Sequence, residues 1–533
     1  MDEKNNALEV LLDNESVDDF DSEPVIENEP EPQKRAFNIS EIVFAWASII
    51  FGYAFCRTVP VYLNPLGSVL LIAAMFAVAG IIIKLNSGKL SGNAIFAAAS
   101  AVVANLSLIL TANQAIHTLT FFFFIFAFTY FVYTCFGNDL DGKFSNLLIV
   151  DLFKSTFVMP FASFGKVFVA MFSKGNKKVG NSIVKILVGL VIAIVPTIVI
   201  VSLLSFDKDF SNLIENIFAF DLSISAGRIG SLILGVPIGM YIFGLYLSSA
   251  DKKCQSLNKE SCDNSRQKAK FLPCITACTA VLPILVVYIL YFVSQFKYFC
   301  SAFVNVLPEN FSYAEYARAG FFQLLTVTII NAIIIVALLM FSKRNTKFEI
   351  IALKTVTILF CVATLVLVCS ALSKMLMYID IYGLTPKRIY TSWFMVMISL
   401  VVVTVIIKQL VSKFKIVPIA CIACTMMIAV LSLARVDAFI AKYNVDRYVN
   451  NTAVSVDIEL LDSLSDDSVE QMVRLKKYIE STPDGKNTIL YKSLDEKLET
   501  KAKTIDNEDF GVLDFSLPHY KAKKALTDAG YIE

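Results

Sequence analysis

From Ile42 to Leu433 the chain returns repeatedly to apolar runs of near-constant length that carry almost no charge. Each run has about the 20 residues that a helix rising 1.5 Å per residue needs to cross a hydrocarbon core about 30 Å thick. No water reaches the backbone inside lipid, so every N–H and C=O must be paired within the protein, which only helices and closed barrels achieve. Barrel strands alternate apolar and polar residues over about ten positions, and these runs are longer and uniformly apolar. The expectation is an all-α, polytopic transmembrane helix bundle of eleven spans: Ile42 to Tyr62, Leu66 to Ile83, Ala94 to Ala112, Ile116 to Phe136, Ile183 to Leu204, Ile229 to Ser249, Leu272 to Val293, Gly320 to Phe341, Phe348 to Leu372, Ile389 to Ile407 and Ile416 to Leu433.

Hydrophobic residues make up 56% of the chain, with Phe at 43 positions, which is more apolar surface than a water-facing fold conceals. The 47 basic residues balance the 46 acidic ones almost completely, so no global positive field points to nucleic acid. The lipid bilayer is the expected partner. The first run follows a long polar stretch and exceeds a cleaved signal sequence in length, so it is expected to act as a signal-anchor.

Loop charge sets the orientation, because Lys and Arg are retained on the cytoplasmic side. One alternating set of loops holds Lys84 and Lys89; Lys143, Lys154, Lys166, Lys174, Lys177 and Lys178; Lys252, Lys253, Lys259, Arg266, Lys268 and Lys270; Lys343, Arg344 and Lys347; and Lys408, Lys413 and Lys415. The other set is sparse. The expected topology in the cell membrane therefore has a cytoplasmic N-terminus, and an odd span count places the C-terminus outside. The stretch Phe144 to Phe172 is apolar enough to be mistaken for a further span. Its Phe153, Phe157, Phe161, Phe164, Phe168 and Phe172 recur every three or four residues, the pattern of one helix face. An interfacial helix broken at Pro160 fits residues 144–173 better, and a twelfth span would move the later basic loops outside.

Three regions follow: an acidic cytoplasmic tail over residues 1–40, a membrane bundle over 41–434, and a soluble, mainly helical extracytoplasmic tail over 435–533. The acidic tail is too polar to fold on its own; a docking role toward a basic cytoplasmic protein is the alternative to a purely solvated one. In the C-terminal tail, Ser468 with Gln471 and Ser493 with Glu496 have capping-box spacing, and Pro518 and Gly530 suit the start and end of a last helix.

The 11 cysteines fall largely inside apolar runs, among them Cys56, Cys135, Cys361, Cys369, Cys421 and Cys424, where a thiol behaves as a small hydrophobe. Cys421-x-x-Cys424 has no neighbouring His and no βαβ context. With His117 in a hairpin and His519 in the tail as the two histidines, no metal site, catalytic set or cofactor site is expected.

Gly227, Ser231, Gly235 and Gly239 repeat every four residues in the sixth span, a small-residue stripe that lets helices approach closely. Packing within the bundle is one reading and homo-oligomerisation the other. Polar oddities collect elsewhere, in three stretches: Tyr313-Ala-Glu315-Tyr316-Ala-Arg318-Ala-Gly320-Phe-Phe322; Asp380 with Tyr382-Gly383-Leu-Thr385-Pro386-Lys-Arg388-Ile-Tyr390; and Tyr443-Asn444-Val-Asp446-Arg447-Tyr448. Gly383, Thr385 and Pro386 read as a helix stop followed by a helix start. In these three patterns the chain resembles a family of multi-pass bacterial membrane proteins known as domain of unknown function 4173, close to its sister family 4153. The resemblance implies a membrane bundle and brings no activity, ligand or catalytic residue with it.

Loop parity puts all three stretches on the extracytoplasmic side. Glu315, Tyr316, Arg318, Asp380, Tyr382, Arg388, Tyr390, Asn444 and Arg447 thus form a candidate outer polar site, unless Arg388, Arg447, Tyr390 and Tyr448 serve to lock the tail onto the loops. A transport-like protein, a sensor or scaffold joining two unlike tails, and an envelope enzyme remain as classes. The enzyme ranks last, since no Walker motif, dinucleotide fingerprint or paired carboxylates occur.

Overall fold

The computed structural model describes residues 36–58, 64–142, 145–173, 223–252, 258–304, 313–411, 413–483, 485–507 and 511–532, with isolated positions between 189 and 207; over 223–229, 295–304 and 313–319 it describes the backbone alone. The chain divides into two units, Met1–Asn38 and Ile39–Glu533, and the second holds every element discussed below. Residues 1–35 of the acidic tail and the predicted span Ile183 to Leu204 lie outside the described residues, apart from isolated positions of that span.

Helices make up 82% of the structure, with no strand among the described residues. Ten helices there are long and apolar enough to cross a membrane, and they fall on the other ten predicted runs. They are α1 (Ile39–Thr58), α2 (Pro65–Leu85), α3 (Gly92–Asn105, continued by Ser107–Leu110) and α4 (Gln114–Cys135), then, beyond the short helices α5 (Leu148–Phe153) and α6 (Lys166–Met171), α7 (Ser223–Ala250). After the exposed α8 (Lys259–Ala269) come α9 (Cys274–Val304), α10 (Tyr313–Phe341), α11 (Lys347–Tyr382), α12 (Pro386–Leu410) and α13 (Ile416–Leu433). Side chains such as Ile275, Leu290 and Val293 stand well exposed, as an apolar surface facing lipid requires.

Hydrogen bonds sort the helix ends into two faces. At one, Lys89 donates to the Cys135 carbonyl at 2.8 Å, Leu272 to Phe341 at 3.0 Å, Asn138 to Ser249 at 2.9 Å and Val417 to Asn146 at 3.4 Å. The opposite ends of α3, α4 and α13 carry residues 111–113 and 434–436, and the junction of α11 and α12 at 382–390 lies there too, since Tyr390 bonds Asn113. His117 belongs to α4 rather than to a hairpin, with its Nε2 2.8 Å from the Thr111 carbonyl.

Residues 145–173 form neither a span nor one continuous helix. After α5 comes a π-helical turn (Lys154–Val158), a break at Met159 and Pro160, a 3-10 turn (Phe161–Ser163) and then α6. Phe153, Phe157, Phe161 and Phe172 are exposed while Phe168 is buried, so the phenylalanines do not all share one exposed face. Both ends stay near one face: Asn146 meets Val417 and Phe172 stacks edge-on against Trp46. Between them the turn penetrates the bundle. Thr156 bonds Thr129 at 2.8 Å, about 9 Å along α4 from Cys135 at 1.5 Å per residue.

Beyond α13 the chain folds into a compact helical tail: α14 (Val436–Val449), α15 (Ile458–Ser463), α16 (Val469–Glu480), α17 (Ile489–Asn507) and α18 (Leu517–Asp528). Its core takes Met472, Leu475 and Ile479 from one helix and Leu494, Leu498 and Ile505 from the next, and runs without interruption into Ile116, Leu384 and Leu431 of the membrane bundle. Pro518 and Gly530, the latter at φ +77°, bracket α18 as expected. The capping boxes do not form. Ser468 turns its hydroxyl to the Met472 sulfur instead, and Ser493 lies inside α17, whose first turn is capped by Thr488 accepting from the Tyr491 N–H at 3.2 Å.

Candidate functional site

The second and third motifs meet where α11 ends. Gly383 stops that helix at φ +77°, its N–H returning to the Ile379 carbonyl at 2.8 Å. Any other residue there would be strained, and a Cβ would meet the Asn444 oxygen at 2.3 Å. Around this stop the carbonyls beyond Ile379 lack backbone partners within the helix, and side chains supply donors to them and a second one to Ile379. Asn444 exchanges two hydrogen bonds of 2.9 Å with the Leu384 backbone. Arg447 donates to Ile379 at 3.2 Å and also to the Asp380 carbonyl, while Arg388 donates to Tyr382 at 3.1 Å and to Gly383. The cations also suit the negative end of the helix dipole, and Arg388 lies 4.1 Å over the Tyr378 ring. Asp380 enters this clasp through its carbonyl, and Tyr382 stands exposed.

Next to the clasp, the tail docks onto the turn between α3 and α4. Asp437, buried in the first turn of α14, accepts from Asn113 at 2.7 Å and from the Ser465 N–H at 3.2 Å. Tyr390 donates to the same Asn113 at 2.8 Å. Asp467 accepts from Thr111 at 3.1 Å, from the Ala112 N–H at 3.4 Å and from the Arg435 guanidinium at 2.5 and 3.1 Å. Burial pushes the Asp467 carboxyl above its ordinary value, although Arg435 and Thr111 pull the other way. Arg435 itself adopts a left-handed φ of +44° between α13 and α14, which turns the chain from the membrane into the tail.

The first motif lies at the same end. Glu315, Tyr316 and Arg318 fall in the first turns of α10, where the backbone alone is described. Gly320 packs against the Lys374 side chain, 2.8 Å from where its Cβ would stand, and so ties the start of α10 to α11 below the clasp. Arg388, Asn444 and Arg447 thus come together around one helix end, with Tyr390 in the adjoining dock at Asn113. The sequence reading missed Thr111, Asn113, Arg435, Asp437 and Asp467. The signals were an Asn just before an apolar run and an Arg-x-Asp just after one.

The small-residue stripe has a defined neighbour. A Cβ on Gly235 would meet the Tyr53 backbone at 2.7 Å, one on Gly239 the Ile49 backbone at 2.8 Å, and one on Gly52 the Gly235 carbonyl at 2.0 Å. Gly235 and Gly239 therefore seat α7 against α1 of the same chain. Ser231 lies farther along the helix, and Gly227 is described by its backbone alone.

At the opposite face, Tyr133 and the Leu140 N–H donate to buried Asp151 at 3.2 and 3.3 Å. Lys154, buried rather than facing water, holds its amine 6.0 Å over the Tyr133 ring and attracts Asp151. Desolvation pushes Asp139 up to about 7, with the Asp151 charge adding to it, and Asp151 up to about 6. Among the described residues no group of three or more His, Cys, Asp or Glu could hold a metal ion.

The sequence profile of the family described as Domain of unknown function (DUF4153) matches residues 97–475. The chain belongs to this family. The match falls on the sister of the family that the three motifs suggested first. It runs from α3 into α16, so the DUF4153 region takes in the clasp and both carboxylate docks, and leaves out α1, α2, α17 and α18. No curated protein and no solved structure matches the chain.

Proposed function

We propose that this multi-pass membrane protein is a scaffold that holds a folded helical domain rigidly on the extracytoplasmic face of its bundle, with its N-terminus in the cytoplasm of a cell-membrane protein. The docking of the tail through two buried carboxylates, Asp437 and Asp467, carries this reading. A domain on a loose tether has no use for buried carboxylates at its root, because each one costs solvation unless its hydrogen-bond donors, or for Asp467 the Arg435 guanidinium, are in place. The guanidinium groups of Arg388 and Arg447 point the same way, since their hydrogen bonds go to backbone carbonyls rather than toward a substrate. The orientation rests on loop charge: Lys89, Lys259, Lys343, Lys347 and Lys415 cluster at the Cys135 face, away from the tail.

On this reading residues 144–173 line the cytoplasmic side, and the acidic N-terminal stretch offers a docking point for a basic cytoplasmic protein. A second copy of the chain would have to bind by a surface other than Gly235 and Gly239, which face α1. Transport is the second reading, favoured by the segment that enters the bundle beside Asp139 and Asp151. A membrane-impermeant maleimide should label Ile489→Cys in intact cells and spare Lys259→Cys. Spin labels at Ile489 and Leu376 should give one narrow distance distribution. Labelling at Lys259 overturns the orientation, and a broad distribution overturns the rigid scaffold.

A further inference from the structure

Where α1 and α2 leave the membrane on the tail's side, the tail turns an apolar edge toward them. Ser68 donates to the Thr58 carbonyl at 3.0 Å and closes that end of the pair. Gly67 packs 3.5 Å from the Leu513 side chain, measured from where its Cβ would stand. Leu513 lies in a 3-10 turn (Val512–Asp514) that precedes α18. The turn is held by its own geometry, the Asp514 carboxylate accepting the Gly511 N–H at 2.9 Å. It nevertheless leaves Val512 84%, Leu513 51%, Phe515 43% and Tyr520 56% exposed. In water such a group is a liability. Beside the first turn of a span it sits at headgroup depth, where apolar side chains are buried by lipid and Tyr is at home.

A cleft of about 490 Å³ opens at the same place, between Leu66 of α2 and Val512, Phe515, Tyr520 and Lys523 of the tail. Its wall is apolar toward the span and cationic at the rim, since Lys523 is exposed while neighbouring Lys521 lies 4.0 Å from Glu470. We propose that this cleft binds an anionic phospholipid of the adjacent leaflet, with the phosphate at Lys523 and the upper acyl chain against Leu66, Val512 and Phe515. Three features fit that one ligand: a cation and an apolar wall in one cleft, placed at the end of a membrane span. A free phosphate has no use for the apolar wall, and a soluble protein partner has no access to a site at headgroup depth. The lipid site goes beyond the scaffold reading and holds whichever face of the membrane the tail occupies.

The test places a photoreactive benzoylphenylalanine at Val512 or, as a control of equal exposure, at Ile489, which is 87% exposed and belongs to α17, a helix packed on α15, α16 and α18 of the tail. The full chain is reconstituted in vesicles of phosphatidylcholine and phosphatidylglycerol, of the same composition in both leaflets, and lipid adducts are identified by mass after illumination. The probe at Val512 is expected to capture phospholipid, with phosphatidylglycerol several-fold over its share of the vesicle, and the probe at Ile489 to capture almost none. Lys523→Glu should return the two lipids to the vesicle ratio without lowering the total, and Lys524→Glu should change neither. Absence of lipid adducts at Val512, or equal capture at Ile489, overturns the membrane contact. A vesicle-like ratio in the natural chain, or a preference that survives Lys523→Glu, overturns the headgroup site.

Discussion

Replacing Arg435 by Ala strands a carboxylate in the joint between bundle and tail. The Asp467 side chain is fully buried while Arg435 is 24% exposed, so the charge left behind is the one that water cannot reach. Deleting one partner of a buried pair costs about 3–5 kcal/mol. The partial exposure of Arg435 screens some of the lost attraction, which sets the expected cost near the lower end, about 3 kcal/mol. At about 1.4 kcal/mol per decade, the tail should open roughly a hundredfold more often. Hydrogen exchange of the α14 and α16 amides in the full-length protein measures that opening. Asp467→Ala removes the buried charge altogether, so the double variant Arg435→Ala with Asp467→Ala should exchange more slowly than Arg435→Ala alone. In Arg435→Ala the Asp467 carboxyl, already above its ordinary value, rises further. The folded protein then binds a proton that the unfolded chain releases, so stability should recover as pH falls through the raised folded value toward the ordinary carboxylate value of about 4. Exchange in the single variant no faster than in the double one, or a protection relative to the intrinsic amide rate that does not rise as pH falls, would refute the argument.

At the α1–α7 crossing, Gly235→Leu should separate the helices and lower the melting temperature of the detergent-solubilised protein by several degrees, whereas leucine at Gly230, which has nothing within 4 Å of its Cβ position, should change it little; equal losses at both positions would contradict the packing. At the opposite face, Asp139 and Asp151 titrate near 7 and 6 when folded, above the unfolded value near 4. The segment 145–173 should therefore be protected more strongly from hydrogen exchange as pH is lowered from about 8 to about 5, and Asp139→Asn should flatten the upper part of that dependence.

The spans were legible because each states its length and apolarity in consecutive residues. The end of α11 shows the limit of that signal: apolarity fades near Leu372, but the helix continues to Tyr382, since its backbone bonds do not depend on side-chain hydrophobicity and nothing stops them before Gly383. That stop, and Pro386 opening α12, are local chemistry and could be read directly. The three motifs marked the tail's side of the bundle for the same reason, being dense in Arg, Asn and Tyr. Their partners could not be read, because the acceptors of Arg447 and Arg388 are carbonyls, which every residue carries. The joint to the tail was hidden by distance: Asn113 and Asp437 are 324 residues apart and Thr111 and Asp467 are 356 apart, and no periodicity in one sequence connects them.

That separation also imposes an order in time. The turn carrying Thr111 and Asn113 is made early, but the carboxylates that complete it are made 324 and 356 residues later, a wait of roughly 16 to 70 s at about 5–20 residues per second. Until then the Thr111 hydroxyl and the Asn113 amide nitrogen lack these two acceptors, although the Asn113 oxygen already caps the Ile116 N–H. Closing the joint is therefore a late event in the life of each new chain, and it cannot happen before Asp467 has reached the same side of the membrane as Thr111. A chain cut short before residue 437 would contain every helix of the described bundle and still present an open turn.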